Sequence, residues 1–186
     1  MLNLHFQPFP DLATDRTILR AMRAEDAPAL FALRSDPKVM EHLGKPRATT
    51  LEDSERLIAA IARDMEDANG ITWAITLKGA DMLIGTIGFY RLKKEHYRGE
   101  VGYMLAPGLW RRGIMSEALD AVVRYGFDTV GFHSIEAVTA PENTASNTLL
   151  ERNGFVQEGL FKENYFFEGR FYDSAVWSKL GSASRP

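Results

Sequence analysis

The segment EVGYMLAPGLWRRGIMSEALDAVVRYGF, beginning at Glu100, holds the residues best spaced for chemistry. It reads as a strand, a Pro-Gly loop, a short basic turn with Gly113, and then a helix. A helix N-terminus fed by such a turn presents unpaired N–H groups and the positive end of the helix dipole, which is what holding a phosphate requires. Gly113 lets the main chain approach a ligand with no Cβ in the way, and Arg111 and Arg112 add charge beside it. The same pattern also fits a helix start built for capping and solubility alone. It is not a Walker P-loop, since the Gly-Lys-Ser/Thr ending is missing. Nor is it a dinucleotide fingerprint, which needs three glycines in an early β-α-β unit. His5, His42, His96 and His133 are dispersed without paired metal-ligand spacing, so no metal is assigned.

The elements that must position this turn are readable around it. Ile18 to Arg20 reads as a short strand, and Asp26 to Leu33 as a helix with Pro28 in its first turn. Thr49-x-x-Glu52 has the form of a capping box, followed by Ser54, Leu57, Ile58, Ile61 and Met65 at helical spacing and a stop at Asn69-Gly70. Ile71 to Leu77 and Met82 to Tyr90 alternate as hairpin partners across Lys78–Asp81, and Glu100 to Leu105 forms the next strand. The period then changes to helical from Gly113 to about Val130. A strand over Ser134–Ala140 and a helix over Thr144–Asn153 follow. Phe155 to Leu180 reads as two long strands around Glu168-Gly169. Grouped antiparallel strands followed by a β-α-β segment predict a three-layer α/β/α fold with a central mixed, mostly antiparallel, twisted sheet.

The bulk numbers narrow the class. A chain of 186 residues with 45% hydrophobic and 25% charged residues fits one folded domain, over 1–180, with 181–186 as a short polar tail. A net charge of −3 argues against a nucleic-acid footprint. No run approaches a membrane span, and MLNLHFQPFPDLATDR lacks the form of a secretory signal. The absence of cysteine excludes disulfides, thiolate catalysis and Cys-ligated zinc, and suits a cytoplasmic protein.

Four blocks in order, TDRTILRAMRAEDAPALFALRSDP, EVGYMLAPGLWRRGIMSEAL, PENTASNTLLERNGFVQEGLFKE and EGRFYDSAVWSKL, make nearly the whole chain resemble the GCN5-related N-acetyltransferases, specifically the ribosomal-protein-alanine (RimJ/RimL) type. The resemblance implies acetyl-CoA as acyl donor. It places the pyrophosphate on the main-chain N–H groups from Arg111 through Ser116, a run that includes Arg112, Gly113, Ile114 and Met115. Trp110 and Met115 depart from the family's Gln/Arg-x-x-Gly-x-Gly/Ala loop at its two outer positions. Met104 and Leu105 fall on the strand whose backbone pairs with pantetheine, beside a cleft that a bulge splays open, with Pro107 ending the pairing. Asn143-x-x-Ser146 matches the family's Asn-x-x-Ser/Ala, so that Asn143 would bond the pantetheine arm, besides capping its helix, and Ser146 would sit near the sulfur.

Acyl transfer needs a neutral amine, a polarised carbonyl and a stabilised thiolate. The resemblance points to Glu100 as the group assisting amine deprotonation. The alternative is a surface glutamate paired with Arg98 or a cross-strand base. Many relatives carry a tyrosine acid seven residues after the motif asparagine. Here that residue is Leu150, which leaves Ser146 to steady the thiolate, with Tyr103 and Tyr165 as further hydroxyls. The expected acceptor is a primary amine, at a protein N-terminus or on a small molecule, with the loops Arg34–Thr50 and Leu92–Gly99 lining its side. The enzyme would act as a monomer or homodimer. A coenzyme A-binding module without catalysis is the competing class.

Overall fold

The two alternating stretches on either side of Lys78–Asp81 fold back on each other, burying their β-branched and aromatic residues. The computed structural model describes residues 1–181; the remaining tail residues, 182–186, lie outside the described residues. The strands are β1 (Leu12–Ala13), β2 (Thr17–Ala21), β3 (Ile71–Leu77), β4 (Leu83–Lys93), β5 (Arg98–Leu105), β6 (Ser134–Thr139), β7 (Val156–Phe167) and β8 (Arg170–Leu180). Among the described residues they form one sheet in the order β1-β2-β3-β4-β5-β6-β8-β7. Every pairing is antiparallel except β5 with β6. The helices are α1 (Ala27–Ser35), α2 (Pro37–Met40), α3 (Leu51–Glu66), α4 (Ile114–Tyr125) and α5 (Thr144–Arg152). They cover both sides of the sheet, giving the expected three-layer, mixed and mostly antiparallel fold.

The larger core lies under α4. Trp73, Ile75, Ile87, Phe89 and Val101 from three neighbouring strands meet Leu119 and Val122. Each of the larger side chains buried this way contributes about 1.5–3 kcal/mol. On the other face Ala74 and Leu83 meet Leu33 of α1 and Val39 of α2, with Met104 of β5 packed against them. Successive residues of β5 therefore serve opposite layers.

Three local expectations shift. The capping box lies one residue later: Asp53, not Glu52, takes the N–H groups of Thr49 (2.8 Å) and Thr50 (3.0 Å), and Thr50 is the N-cap. α4 ends at Tyr125, and Gly126–Val130 form a wider π-type turn. Gly126 is needed there for packing, since a Cβ would lie 2.7 Å from the Phe89 ring. The bulge expected on the cofactor strand sits instead on β4: Arg91 and Leu92 stand opposite the single residue Gly99, between the pairs Tyr90–Glu100 and Lys93–Arg98.

The feature that positions a site is a split in the sheet. β5 and β6 pair over only three residues, ending at Glu100–Glu136. Beyond that point β5 stays with β4 as far as Leu105, while β6 stays with β8 as far as Thr139. Glu136 ties the root of the split to Arg98 and, at 3.3 Å, to Lys93.

Candidate functional site

One wall of the split leads into the turn before α4. Arg111 and Gly113 both adopt left-handed backbone, with φ of 60° and 77°, and Gly113 is the N-cap of α4. Among the described residues, none of the main-chain N–H groups from 111 to 116 is paired with a protein acceptor. Six consecutive donors at the start of a helix are thus left without a protein acceptor, the requirement of an anion-binding nest. Ile114 and Met115 point their side chains into the core, whereas Arg111 and Arg112 are exposed. That explains why an apolar Met115 is tolerated in the loop: its side chain is buried in the core, while its N–H is left without a protein acceptor. Ser116 is bound by its hydroxyl to Asn153 at the end of α5, at 3.0 Å.

Arg16 was not recognised in the sequence as part of this corner. Its guanidinium donates to the Arg112 carbonyl (2.8 Å) and pairs with Glu117 in the first turn of α4 (2.5 Å). It lies 3.0 Å from where a Cβ on Gly113 would be. No local signal could have disclosed a contact between residues so far apart in the chain.

Within the split, the Leu105 carbonyl accepts from the Trp110 indole N–H at 2.7 Å, so Trp110 closes the end of β5. Asn143 caps α5 by accepting from the Ser146 N–H at 3.1 Å, which leaves its amide nitrogen free of this cap. Ser146 and Tyr103 share a hydrogen bond of 2.6 Å that joins α5 to β5 across the split. Burial pushes the Tyr103 phenol up to about 12, opposed by its bond to Ser146. Leu150, one turn beyond Ser146, is fully buried in the larger core. Tyr165 makes no hydrogen bond to Ser146; it is stacked on Tyr172 and lies against Gly44.

Glu100 lies at the root of the split and on the opposite face of β5 from Tyr103. No hydrogen bond joins it to Ser146. The residue is buried, with 8% exposure, and its partner is the cross-strand base Arg91, whose Nη1 reaches the two carboxylate oxygens at 3.2 and 3.1 Å. Arg98, the other partner considered, is committed to Glu136. Burial raises the Glu100 carboxyl above its ordinary value, against the lowering effect of Arg91. This is the combination a general base needs: a carboxylate poised closer to neutrality but still ionisable. An open cleft of about 470 Å³ lies alongside, lined by Lys45, Asp64, Asn69, Tyr90, Arg91 and Leu92. Lys45 comes from the first of the two loops expected on the acceptor side, and Leu92, the first residue of the second expected loop, is in fact the penultimate residue of β4; the other residues come from α3, its exit and β4. Among the described residues no cluster of three or more His, Cys, Asp or Glu could hold a metal ion, and no helix is long and apolar enough to cross a membrane.

Comparison with known proteins agrees with this geometry. A family model described as an acetyltransferase (GNAT) domain matches residues 16–156. The uncharacterized N-acetyltransferase YoaA of Bacillus subtilis is 39% identical over 170 residues, covering 91% of this chain and 96% of that protein. The [ribosomal protein uS5]-alanine N-acetyltransferase of Escherichia coli is 25% identical over 89% of this chain and 88% of its own length. The crystal structure of a GNAT-family acetyltransferase from Bacillus anthracis superposes with a TM-score of 0.81 at 28% identity, covering 92% of this chain and 98% of the other.

Proposed function

The chain belongs to the GNAT family of acetyltransferases, and from that membership we propose that residues 1–180 act as one catalytic domain acetylating the primary amine of a protein N-terminus or a small molecule. The observation that carries the reading is the split beyond Glu100–Glu136, which opens between the unpaired N–H groups of 111–116 and a buried carboxylate. Family membership leaves the binding-only alternative without support.

In this reading the donor's pyrophosphate rests on the N–H groups of Arg111, Arg112, Gly113, Ile114, Met115 and Ser116, with Arg16 adding charge. Pantetheine runs along the β5 edge at Met104 and Leu105, and the free amide nitrogen of Asn143 holds its arm. The amine nitrogen attacks the thioester carbonyl, Glu100 takes the amine proton, and the C–S bond breaks to release thiolate. Tyr103 stays protonated because it is buried. It donates to the Ser146 oxygen, leaving the Ser146 hydroxyl hydrogen to point at the departing sulfur. The acceptor's resemblance to a protein N-terminus is supported by the name of the Escherichia coli relative. We place the enzyme in the cytoplasm as a monomer or homodimer, which suits a chain without cysteine.

The test is thiol release from acetyl-CoA by the purified protein across a panel of short peptides, amino acids and polyamines, with mass spectrometry of the acceptors. Acceptor-dependent release with acetylated product is expected. Saturable acetyl-CoA binding without any acceptor-dependent release would overturn the reading.

A further inference from the structure

The cleft beside Glu100 has a charge pattern that the donor chemistry does not require. The protein as a whole is acidic, at −3, yet the groups gathered at this cleft are mainly cationic. Lys45 lines it with its ammonium 5.8 Å from the centre of the Tyr90 ring. Arg91 enters from the β4 bulge, where it adopts a φ of +49°. Tyr90 itself leans over Gly102, so closely that a Cβ there would overlap its hydroxyl at 1.7 Å. The aromatic platform under Lys45 is therefore fixed in place by the glycine on β5.

The acids do not balance these bases. Glu100 is engaged by Arg91 through Nη1 alone, and the rest of that guanidinium has no partner among the described residues. Lys45 makes no ion pair with any described carboxylate. Arg34, near enough to repel Lys45, donates only to the Pro46 carbonyl at 3.4 Å. Asp64 lines the rim but is exposed. Partial burial, followed by Arg34 and Arg91, holds the Lys45 amine below its ordinary value, with only Glu100 acting in the opposite direction. An anion placed here would relieve the strain between these cations, whereas a second cation would add to it.

We infer that the acceptor is an amine bearing a carboxylate close to the reacting nitrogen, the carboxylate seated between Lys45 and Arg91 while the amine faces Glu100. This rests on the acetyl-transfer reading and narrows it: an acidic amino acid or a peptide with an acidic residue at or next to its N-terminus fits, and a polyamine does not. Arg91 touches both Glu100 and the proposed carboxylate position, so the two groups of the acceptor must be near neighbours.

The experiment compares kcat/KM for matched acceptors, with acetyl-CoA saturating. The peptides differ only in having Glu, Gln or Lys at the first or second residue, and free glutamine, expected to outrun glutamine amide that lacks the α-carboxylate, tests the small-molecule source beside the peptide source. Wild type is expected to prefer the Glu forms over the Gln forms by about tenfold, the worth of one charge-assisted hydrogen bond. Lys45→Gln should erase most of that ratio, Lys45→Arg should keep it, and Lys45→Glu should turn it toward the Lys peptide. A wild-type enzyme that acetylates the Gln or Lys peptides as well as the Glu peptides, and glutamine amide as well as glutamine, overturns this inference while leaving acetyl transfer intact. So does a ratio unmoved by Lys45→Glu. Failure of every acceptor would instead count against the activity itself.

Discussion

Removing the Tyr103 hydroxyl is the sharpest probe of how the leaving thiolate is managed. Tyr103→Phe keeps the ring packed against the larger core and deletes one oxygen, 2.6 Å from Ser146. A half-buried hydroxyl that loses its partner costs about 1–3 kcal/mol. If that bond aims the Ser146 hydrogen at the sulfur, the loss falls on the transition state and lowers kcat by about 5- to 150-fold. Steady-state thiol release should be followed for Tyr103→Phe, Ser146→Ala and the double variant. Both residues act through the same O–H, so the double variant should be little slower than the slower single one. The KM for acetyl-CoA should change little, because neither hydroxyl lies at the nest. A Tyr103 phenol at about 12 also means that no activity is lost to its ionisation near its ordinary value of 10.0. Independent, multiplicative effects would refute the pairing, as would wild-type kcat in Tyr103→Phe beside a slow Ser146→Ala.

The nest and the base carry predictions of their own. Gly113→Ala forces a Cβ onto φ 77°, a cost of about 1–2 kcal/mol, and brings it 3.0 Å from Arg16. It should lower the melting temperature and raise the KM for acetyl-CoA at least fivefold with kcat largely retained; an unchanged KM would remove the nest from donor binding. For Glu100, the active form in the proposed reaction is the ionised one and burial raises its pKa, so kcat/KM should climb as pH rises through a value higher than that of an ordinary glutamate. Glu100→Gln should lose that acidic limb and about 10²- to 10⁴-fold in rate, and persistence of the limb would assign it to another group. The stability sign runs the other way. A raised folded-state value contributes stability below the unfolded value and loses it as pH rises through the folded one, so Glu100→Gln should melt no lower than wild type at neutral pH.

What was legible in the sequence was what neighbouring residues decide among themselves. Gly113, Pro107, Gly154 and Glu168-Gly169 mark their turns through local backbone geometry, and the strands show their alternation. The capping box slipped by one because Glu52 and Asp53 both stand where an acid could cap; Asp53 reaches two N–H groups at once. The stop after α3 was placed at Asn69-Gly70, while the left-handed residue is Ala68, with φ 53°. Gly126 looks like an ordinary member of a helical face, since its closeness to Phe89 is set by a strand far away in the chain. The donor corner was legible in its main-chain part, because one continuous segment builds it. Arg16 and the cationic cleft were not, since each is assembled from separate elements by the sheet; for Glu100 a cross-strand base was legible as an alternative partner, but not that Arg91 supplies it.

Leu150 and Tyr103 are best understood together. Leu150 shares a face of α5 with Ser146 but points into the fully packed core, where a tyrosine would add bulk that costs about 1–3 kcal/mol and would bury a hydroxyl needing a partner. A phenol can reach Ser146 without that cost only from the other side of the split, and β5 supplies it at Tyr103. The substitution at 150 therefore does not by itself remove a phenol from the site. It moves the source from the helix to the strand whose edge carries Met104 and Leu105. One hydrogen bond then spans the two arms of the divided sheet. Glu100, three residues earlier on the same strand, lies on its opposite face. In the proposed reaction this odd spacing puts the partner of Ser146 on the donor side and the base on the acceptor side.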